Sequence, residues 1–344
     1  VNNHWILPTR GEPLAAVQDF LRRIYARARL DGMLVPLAVG GEAGVVCELV
    51  TDRDRLQLAD PFAPLAPANS VWALEEVIRR RPLDRLGAVL RPCESRALQE
   101  CLRHAGLTVD RLLTIGVDCL GTYSPDDYAA RFRVPGARRS LADETLRFTR
   151  QGGIAPYRYR PACQACPDPS PAATDVTIEL LGLTVYETIL VGAREAEIAE
   201  QLGFDEITAG RAPRTLVAQR DRMHTVLLGR HQRAEARLGL RLPQALPVDP
   251  AGVAALFAGC APCEACLEAC PIAMADGLPA RAAELTAHDI LHWLASCAEC
   301  GQCEDACPQH RPLALLFHRV REQAGLAGAG LLGGGSSQAL AVVR

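Results

Sequence analysis

The chain has 344 residues, 49% of them apolar and only 5% aromatic, which suits a soluble protein with one large domain and a smaller one. Its 37 basic and 40 acidic side chains leave a formal charge of −3, too balanced for the basic face that nucleic-acid binding needs. All 37 basic residues are arginine, which excludes a Walker phosphate loop, a lysine Schiff base and a lysine general base.

Taken in chain order, the first 250 residues alternate helical and extended patterns. Leu14, Val17, Leu21, Ile24, Tyr25 and Ala28 recur at helical spacing, with Arg22, Arg23, Arg27 and Arg29 on the other faces. Apolar runs at Met33–Ala38 and Gly44–Val50 read as strands, and a helix is expected from about Val71 to Arg80. Strand-like Leu86–Leu90 leads through Arg91-Pro92-Cys93 into a helix ending near Gly106. Leu112–Val117, Val176–Leu181 and Val185–Val191 complete the strands, and Thr215 to Leu240 reads as one long arginine-studded helix. The class is α/β. The Pro- and Cys-rich stretch Cys163 to Ala173 is a loop, and Pro243, Pro247 and Pro250 punctuate a linker.

Beyond the linker the pattern is helical and rich in cysteine. Thr286 and Asp289 form a capping box, and the apolar side of the helix they open (Ile290, Leu291, Leu294) continues to Cys297. Pro312 opens a last helix with Leu313, Leu316, Phe317 and Val320 on one face. The Gly/Ala-rich tail contains a formal dinucleotide fingerprint at Gly328–Gly333, but no strand precedes it, so no βαβ unit is expected. Val1 to Arg10 is polar, the Arg22-Arg23 pair lacks a following apolar stretch, and no apolar run reaches membrane-spanning length. The expectation is a cytoplasmic protein without a membrane span.

Fourteen cysteines carry the chemistry. Cys260-x2-Cys263-x2-Cys266-x3-Cys270-Pro271 and Cys297-x2-Cys300-x2-Cys303-x3-Cys307-Pro308 are two complete bacterial ferredoxin runs. In such runs three close thiolates wrap one 4Fe-4S cluster while the fourth cysteine turns to the other cluster. Cys260, Cys263, Cys266 and Cys307 are therefore assigned to one cluster, and Cys297, Cys300, Cys303 and Cys270 to the second. Structural zinc, which also takes four thiolates, is the alternative. The connector, ending in Trp293-Leu-Ala-Ser-Cys297, resembles the all-helical two-cluster ferredoxin domain of heterodisulfide reductases and succinate dehydrogenases, over roughly residues 255–322.

Cys93, Cys119, Cys163 and Cys166 lie in the α/β part. Loops at the ends of neighbouring strands could unite them as a third site, with a thioredoxin-like Cys163/Cys166 pair as the rival reading. Arg91–Leu98, Ile115–Thr122 and Cys163-Gln-Ala-Cys166 with Thr174-Asp175-Val176 resemble the beta-subunit family of deazaflavin-dependent (coenzyme F420) hydrogenases and formate dehydrogenases. That resemblance implies a third 4Fe-4S cluster on Cys93, Cys119, Cys163 and Cys166, beside a flavin. Arg91 and Arg96 flank Cys93 and are expected to raise that cluster's potential. The sequence departs from the family at Phe20–Arg23, where a Gly-Gly pair is usual, and at Thr177–Gly182, where a glycine-rich stretch is usual. Glycines let backbone approach a phosphate or ring closely, so tightly held FAD is not expected.

Cys47 and Cys101 read as core residues, His288 and His292 lack a third ligand, and Arg79–Arg81 reads as a solvated helix end. The expected protein is a non-catalytic electron-transfer subunit of a multi-subunit redox enzyme of formate dehydrogenase or hydrogenase type. Its expected parts are residues 1–250 with one cluster, 251–323 with two, and a tail at 324–344. Its expected partners are catalytic, flavin or iron–sulfur subunits. Two other readings stand beside it: a flavin-containing subunit acting on a deazaflavin, and a non-redox scaffold with structural metal sites.

Overall fold

The computed structural model describes residues 3–324, apart from 39–43, 81–83, 106–110, 133–136, 153–158, 172, 245, 248, 258, 261–262, 276–277 and 279–284. The strands are β1 (His4–Pro8), β2 (Gly32–Ala38), β3 (Val45–Val50), β4 (Leu86–Leu90), β5 (Leu112–Val117), β6 (Val176–Glu179) and β7 (Thr188–Ala193). Helices of the α/β part are α1 (Pro13–Arg27), α2 (Ser70–Arg80), α3 (Pro92–Ala105), α4 (Pro125–Phe132), α5 (Ala137–Arg147), α6 (Pro161–Gln164), α7 (Ala196–Gln201), α8 (Phe204–Ile207) and α9 (Arg214–Gly239). The remainder is helical: α10 (Pro250–Ala255), α11 (Ala265–Glu268), α12 (Pro271–Ala275), α13 (Ala287–Ala295), α14 (Gln302–Asp305) and α15 (Leu313–Gln323). Among the described residues this part contains no strand.

The strands form one mixed sheet in the order β1-β7-β6-β5-β4-β2-β3. β6, β5, β4 and β2 are parallel, while β7 runs antiparallel to β6 and β1, and β3 antiparallel to β2. Parallel strands covered on both faces need unbroken apolar sequence, and all five residues of β4 are buried. Alternate side chains divide between two cores. Met33, Val35, Val89, Ile115 and Val117 face Val17, Phe20, Leu21 and Ile24 of α1. Leu34, Ala88 and Leu90 face Val71 and Leu74 of α2 and Ala97, Leu98 and Cys101 of α3.

The helical region extends this second core. Ile290, Trp293 and Leu294 of α13 and Leu316, Phe317 and Val320 of α15 belong to the same buried cluster as α2, α3 and β4. Phe317 packs edge-on to Trp293 at 5.0 Å and tilted to Phe257 at 6.0 Å. Cys101 is buried as expected and reaches the Pro271 carbonyl. Cys47 is half-buried at the edge of the same core, where burial pushes its thiol up to about 12. The capping box of Thr286 and Asp289 opens α13.

Several elements differ from the sequence reading. The polar start contains β1, too short and too interrupted for a visible alternation. Trp5 anchors it, packing on Phe204 at 5.0 Å, donating to Asp205 at 2.6 Å and lying under the Arg211 guanidinium. α4 and α5 were not anticipated. β6 ends at Glu179 because the amides of Leu180 and Leu181 turn to the Asp118 carboxylate. β7 begins at Thr188 because the amides of Glu187 and Thr188 both donate to the Thr184 carbonyl. The Gly328–Gly333 pattern, the rest of the tail and the His288 side chain lie outside the described residues. Among the described residues no helix is long and apolar enough to cross a membrane.

Two outcomes follow. Phe317 is 1% exposed, so Phe317→Ala should destabilise the chain by about 3–5 kcal/mol. Because the core is shared, sheet and helical region should melt together in calorimetry; two separate transitions would contradict the common core. At the sheet edge, His4 Nε2 lies 3.3 Å from Glu179, and this hydrogen bond raises the imidazole pKa above 6.5. A raised pKa stabilises the fold fully below the unfolded value and is lost as pH rises through the folded one. Stability should therefore fall as pH climbs past 6.5, and His4→Gln should flatten that slope in denaturant titrations.

Candidate metal centres

The carboxyl ends of neighbouring parallel strands are where open α/β sheets hold ligands, and β4 and β5 deliver two cysteines there. After β4, Pro92 opens α3 and Cys93 follows in its first turn. Buried Glu94 pins this turn, accepting the Arg91 amide at 2.7 Å and the Ser70 hydroxyl at 2.6 Å. After β5, Asp118 accepts the amides of Leu180 (2.8 Å) and Leu181 (3.2 Å) and a guanidinium N–H of Arg220 (2.7 Å). Cys119 is thereby fixed, and its own amide donates to the Pro169 carbonyl at 2.9 Å, drawing in the loop that carries Cys163 and Cys166. A Cβ at Gly116 would overlap Pro171 and Thr174, so glycine lets that loop lie on β5. Cys93 is within electrostatic reach of Cys119, Cys119 of Cys163 and Cys166, and Cys166 of Cys163.

The structure brings the ferredoxin cysteines together in the crossed pattern of the sequence. Cys266 is influenced by Cys260, Cys263 and Cys307, whereas Cys303 is influenced by Cys297, Cys270 and Cys300. The Trp293 indole N–H donates to Cys270 Sγ at 3.1 Å, and the Glu299 amide points at Cys297 Sγ at 3.4 Å. Glu299 has a positive φ of 54°, held by Arg321 at 2.9 Å and His318 at 3.2 Å.

Burial pushes the Cys119 thiol up to about 12 and those of Cys266 and Cys270 up to about 11. It also raises Cys93 and Cys166. Buried thiols disfavour the anionic form unless positive charge compensates, which is the role a bound metal takes. Sulfurs in tetrahedral zinc sites lie roughly 3.8 Å apart. Among the described residues no three cysteine sulfurs lie within 4.8 Å of one another. The donor sets are therefore all-thiol and spread more widely than a single zinc ion requires, which fits an iron–sulfur cluster better.

Two buried arginines, Arg91 and Arg160, and half-buried Arg96 surround the Cys93 site. Arg91 turns its guanidinium to the carbonyls of Ala63 and Leu65. Arg96 donates to the carbonyls of Ala298 (3.2 Å) and Asp168 (2.9 Å), with Cys166 Sγ at 3.8 Å. Arg160 donates to Cys163 Sγ at 3.2 Å and to the Cys300 carbonyl at 2.9 Å. Sequence reasoning had missed Arg160 and the Asp118–Arg220 pair, and quoted Trp293 only as part of the connector motif. Elsewhere, Glu235, His318 and Glu322 cluster, but Glu299 raises His318 and Arg319 faces Glu235 at 3.1 Å, so the charges are matched within the protein.

The residues beside Cys119 do not fit a flavin. The cleft lined by Phe62, Arg91, Cys119, Gly121 and Leu180 holds about 20 Å³, whereas cofactor sites span ~300–1,000 Å³. A cavity of about 370 Å³ lies beyond Phe62 and Leu146, which line both spaces. Its charged lining residues are Glu12, Asp60 and Asp143, with no arginine, which repels a pyrophosphate. Phe20 and Leu21 of α1 fill the core. Gly182, with φ of 74°, serves packing, because a Cβ there would meet Met223 of α9 at 2.8 Å.

Residues 259–312 match the family model of the 4Fe-4S dicluster domain. The chain thus joins an α/β mixed-sheet domain to a helical region carrying that dicluster domain. No curated protein matches it. Among solved structures it is similar to a chain of the xenon-derivatised F420-reducing [NiFe] hydrogenase complex from Methanosarcina barkeri. That match has 12% identity and a TM-score of 0.47, covering 69% of this chain and 91% of the other.

Asp118 holds the Cys119 turn through charge. Asp118→Ala leaves buried Arg220 with longer contacts to Glu179 (3.7 Å) and Asp221 (3.6 Å) and strands two amides. The expected loss is about 3–5 kcal/mol in denaturant unfolding, with less iron retained; an unchanged midpoint would remove this pair from the site's architecture.

Proposed function

We propose that the chain is an iron–sulfur electron-transfer subunit of a multi-subunit redox enzyme of hydrogenase or formate dehydrogenase type. It holds three 4Fe-4S clusters. Cys93, Cys119, Cys163 and Cys166 hold the first, in the α/β domain of residues 1–250. Cys270, Cys297, Cys300 and Cys303 hold the second; Cys260, Cys263, Cys266 and Cys307 hold the third, both in residues 251–323. The observation that carries this reading is the sequence of contacts between the quartets. Cys93 is within electrostatic reach of Cys300, and Arg96 and Arg160 each join the first quartet to the loop of the second. The second and third interlock through Cys270, which follows Cys266 along α11 and α12.

Each cluster, when bound, accepts and returns one electron without making or breaking bonds. The protein's part is to exclude water, hold the sulfurs and supply N–H donors and charge that tune potential. Cys303 of the second quartet is buried, while Cys93, Cys297, Cys260 and Cys263 are half-buried. The line therefore runs from the sheet domain into the helical region. Among the described residues the cleft beside Cys119 is too small for a flavin or a deazaflavin, which favours a fixed relay in the cytoplasm over a self-contained flavoenzyme. The helical packing around wide thiol quartets likewise favours electron transfer over a zinc scaffold.

Cys93→Ser or Cys163→Ser should remove about a third of the iron, since each quartet holds four irons, and spare the other two paramagnetic signals. Unchanged iron content would sink the first site. Native purification should also yield a stoichiometric partner, a molybdenum- or nickel-containing catalytic subunit or another flavin or iron–sulfur subunit. A lone monomer that turns over formate, hydrogen or a deazaflavin and releases stoichiometric flavin on denaturation would overturn the proposal in favour of the flavoenzyme.

A further inference from the structure

Arg160 is 5% exposed, and burying a guanidinium is costly unless every donor is used. Here each nitrogen has its own target. Nε donates to Cys163 Sγ at 3.2 Å, one terminal nitrogen to the Cys300 carbonyl at 2.9 Å, and the other pairs with Asp305 of α14. The side chain stands at the N-cap of α6, so the fork is fixed at the base of the Cys163 turn. From the opposite side, a Cβ at Gly301 would overlap Ala162 of α6. The two loops therefore approach as closely as backbone allows, with Arg160 between them.

The direction of these bonds is informative. An N–H aimed at a neutral thiol gains little, whereas the same bond to an anionic sulfur is charge-assisted and roughly twice as strong. Asp305 alone would neutralise Arg160. The protein nonetheless spends a separate N–H on Cys163 and another beside Cys300. Those are the directions in which negative charge would grow if both quartets held reducible centres.

We propose that Arg160 sets the reduction potentials of two neighbouring clusters together, those on Cys93/Cys119/Cys163/Cys166 and on Cys270/Cys297/Cys300/Cys303. The proposal rests on the cluster assignment above. Each one-electron reduction adds one negative charge to its site. The guanidinium stabilises that charge, raising both potentials, more at the site whose sulfur it touches. Asp305 opposes it. The quartet of Cys260, Cys263, Cys266 and Cys307 has no contact with Arg160 among the described residues and is the internal control.

The test is an anaerobic redox titration of the full iron-loaded protein, followed by low-temperature paramagnetic resonance with iron counted in every sample. Arg160→Gln should lower the first site's reduction equilibrium at least tenfold, about 59 mV for one electron. The second site should shift in the same direction by less, and the third should stay within error. Asp305→Asn keeps the Nε donor and removes the opposing charge, so it should shift the first two potentials upward. If Arg160→Gln loses a cluster, the sign of the Asp305→Asn shift decides: upward supports the proposal, unmoved or downward overturns it. Three centres with unmoved potentials in both variants overturn the proposal alone. Fewer than three reducible centres in the unaltered protein overturn the cluster assignment, and this proposal with it.

Discussion

The packing of Trp293, Phe317 and Val320 against the α3 face of the sheet is the contact on which the rest depends. It buries the helical region in the same core that holds α2, α3 and β4, and so fixes the loop of Cys297 to Cys303 over the carboxyl ends of β4 and β5. Trp293 serves twice. Its ring packs at 5.0 Å on Phe317, and its indole N–H reaches Cys270 Sγ at 3.1 Å. Hydrophobic packing thus places a cysteine that backbone connectivity alone would leave on a short, separate helix.

Once that seam is closed, the electrostatic problem is set. Many thiols and several carboxylates lie in a low-dielectric interior, and the chain answers mainly with arginines, having no lysine at all. The choice matters physically. An ammonium is a point charge that would satisfy one partner well, whereas the planar guanidinium holds several donors in fixed directions. Arg220 uses this to join Asp118, Ser170 and Glu179; Arg96 uses it to join α3 to two loops. Each ties a cysteine-bearing turn to an element far away in sequence. Positive charge and positional restraint come from the same side chain.

How much of this was legible in the sequence follows from how local each signal is. The ferredoxin runs place their ligands within one stretch of chain, so spacing alone grouped eight cysteines. The strands β2, β4 and β5 were visible because parallel strands buried on both faces leave continuous apolar runs. β1 was not, because its stability comes from Trp5 on Phe204 and Asp205, distant in sequence. Cys93, Cys119, Cys163 and Cys166 could be grouped only by resemblance, since their proximity is a property of strand order. Arg160 was invisible for the same reason: its partners Cys300 and Asp305 lie across the seam.

The carboxyl end of a parallel sheet is ordinarily an open crevice for a ligand. Here the chain fills it with itself. Gly116 admits Pro171 and Thr174 onto β5, Phe62 and Leu146 close the space beside Cys119, and Gly182 admits Met223 of α9. The consequence is directional. With the crevice filled, the contacts that remain open to the Cys93 quartet are those through Arg96 and Arg160 into the helical region. On the proposed reading an electron arriving at either end has one continuous path through the chain.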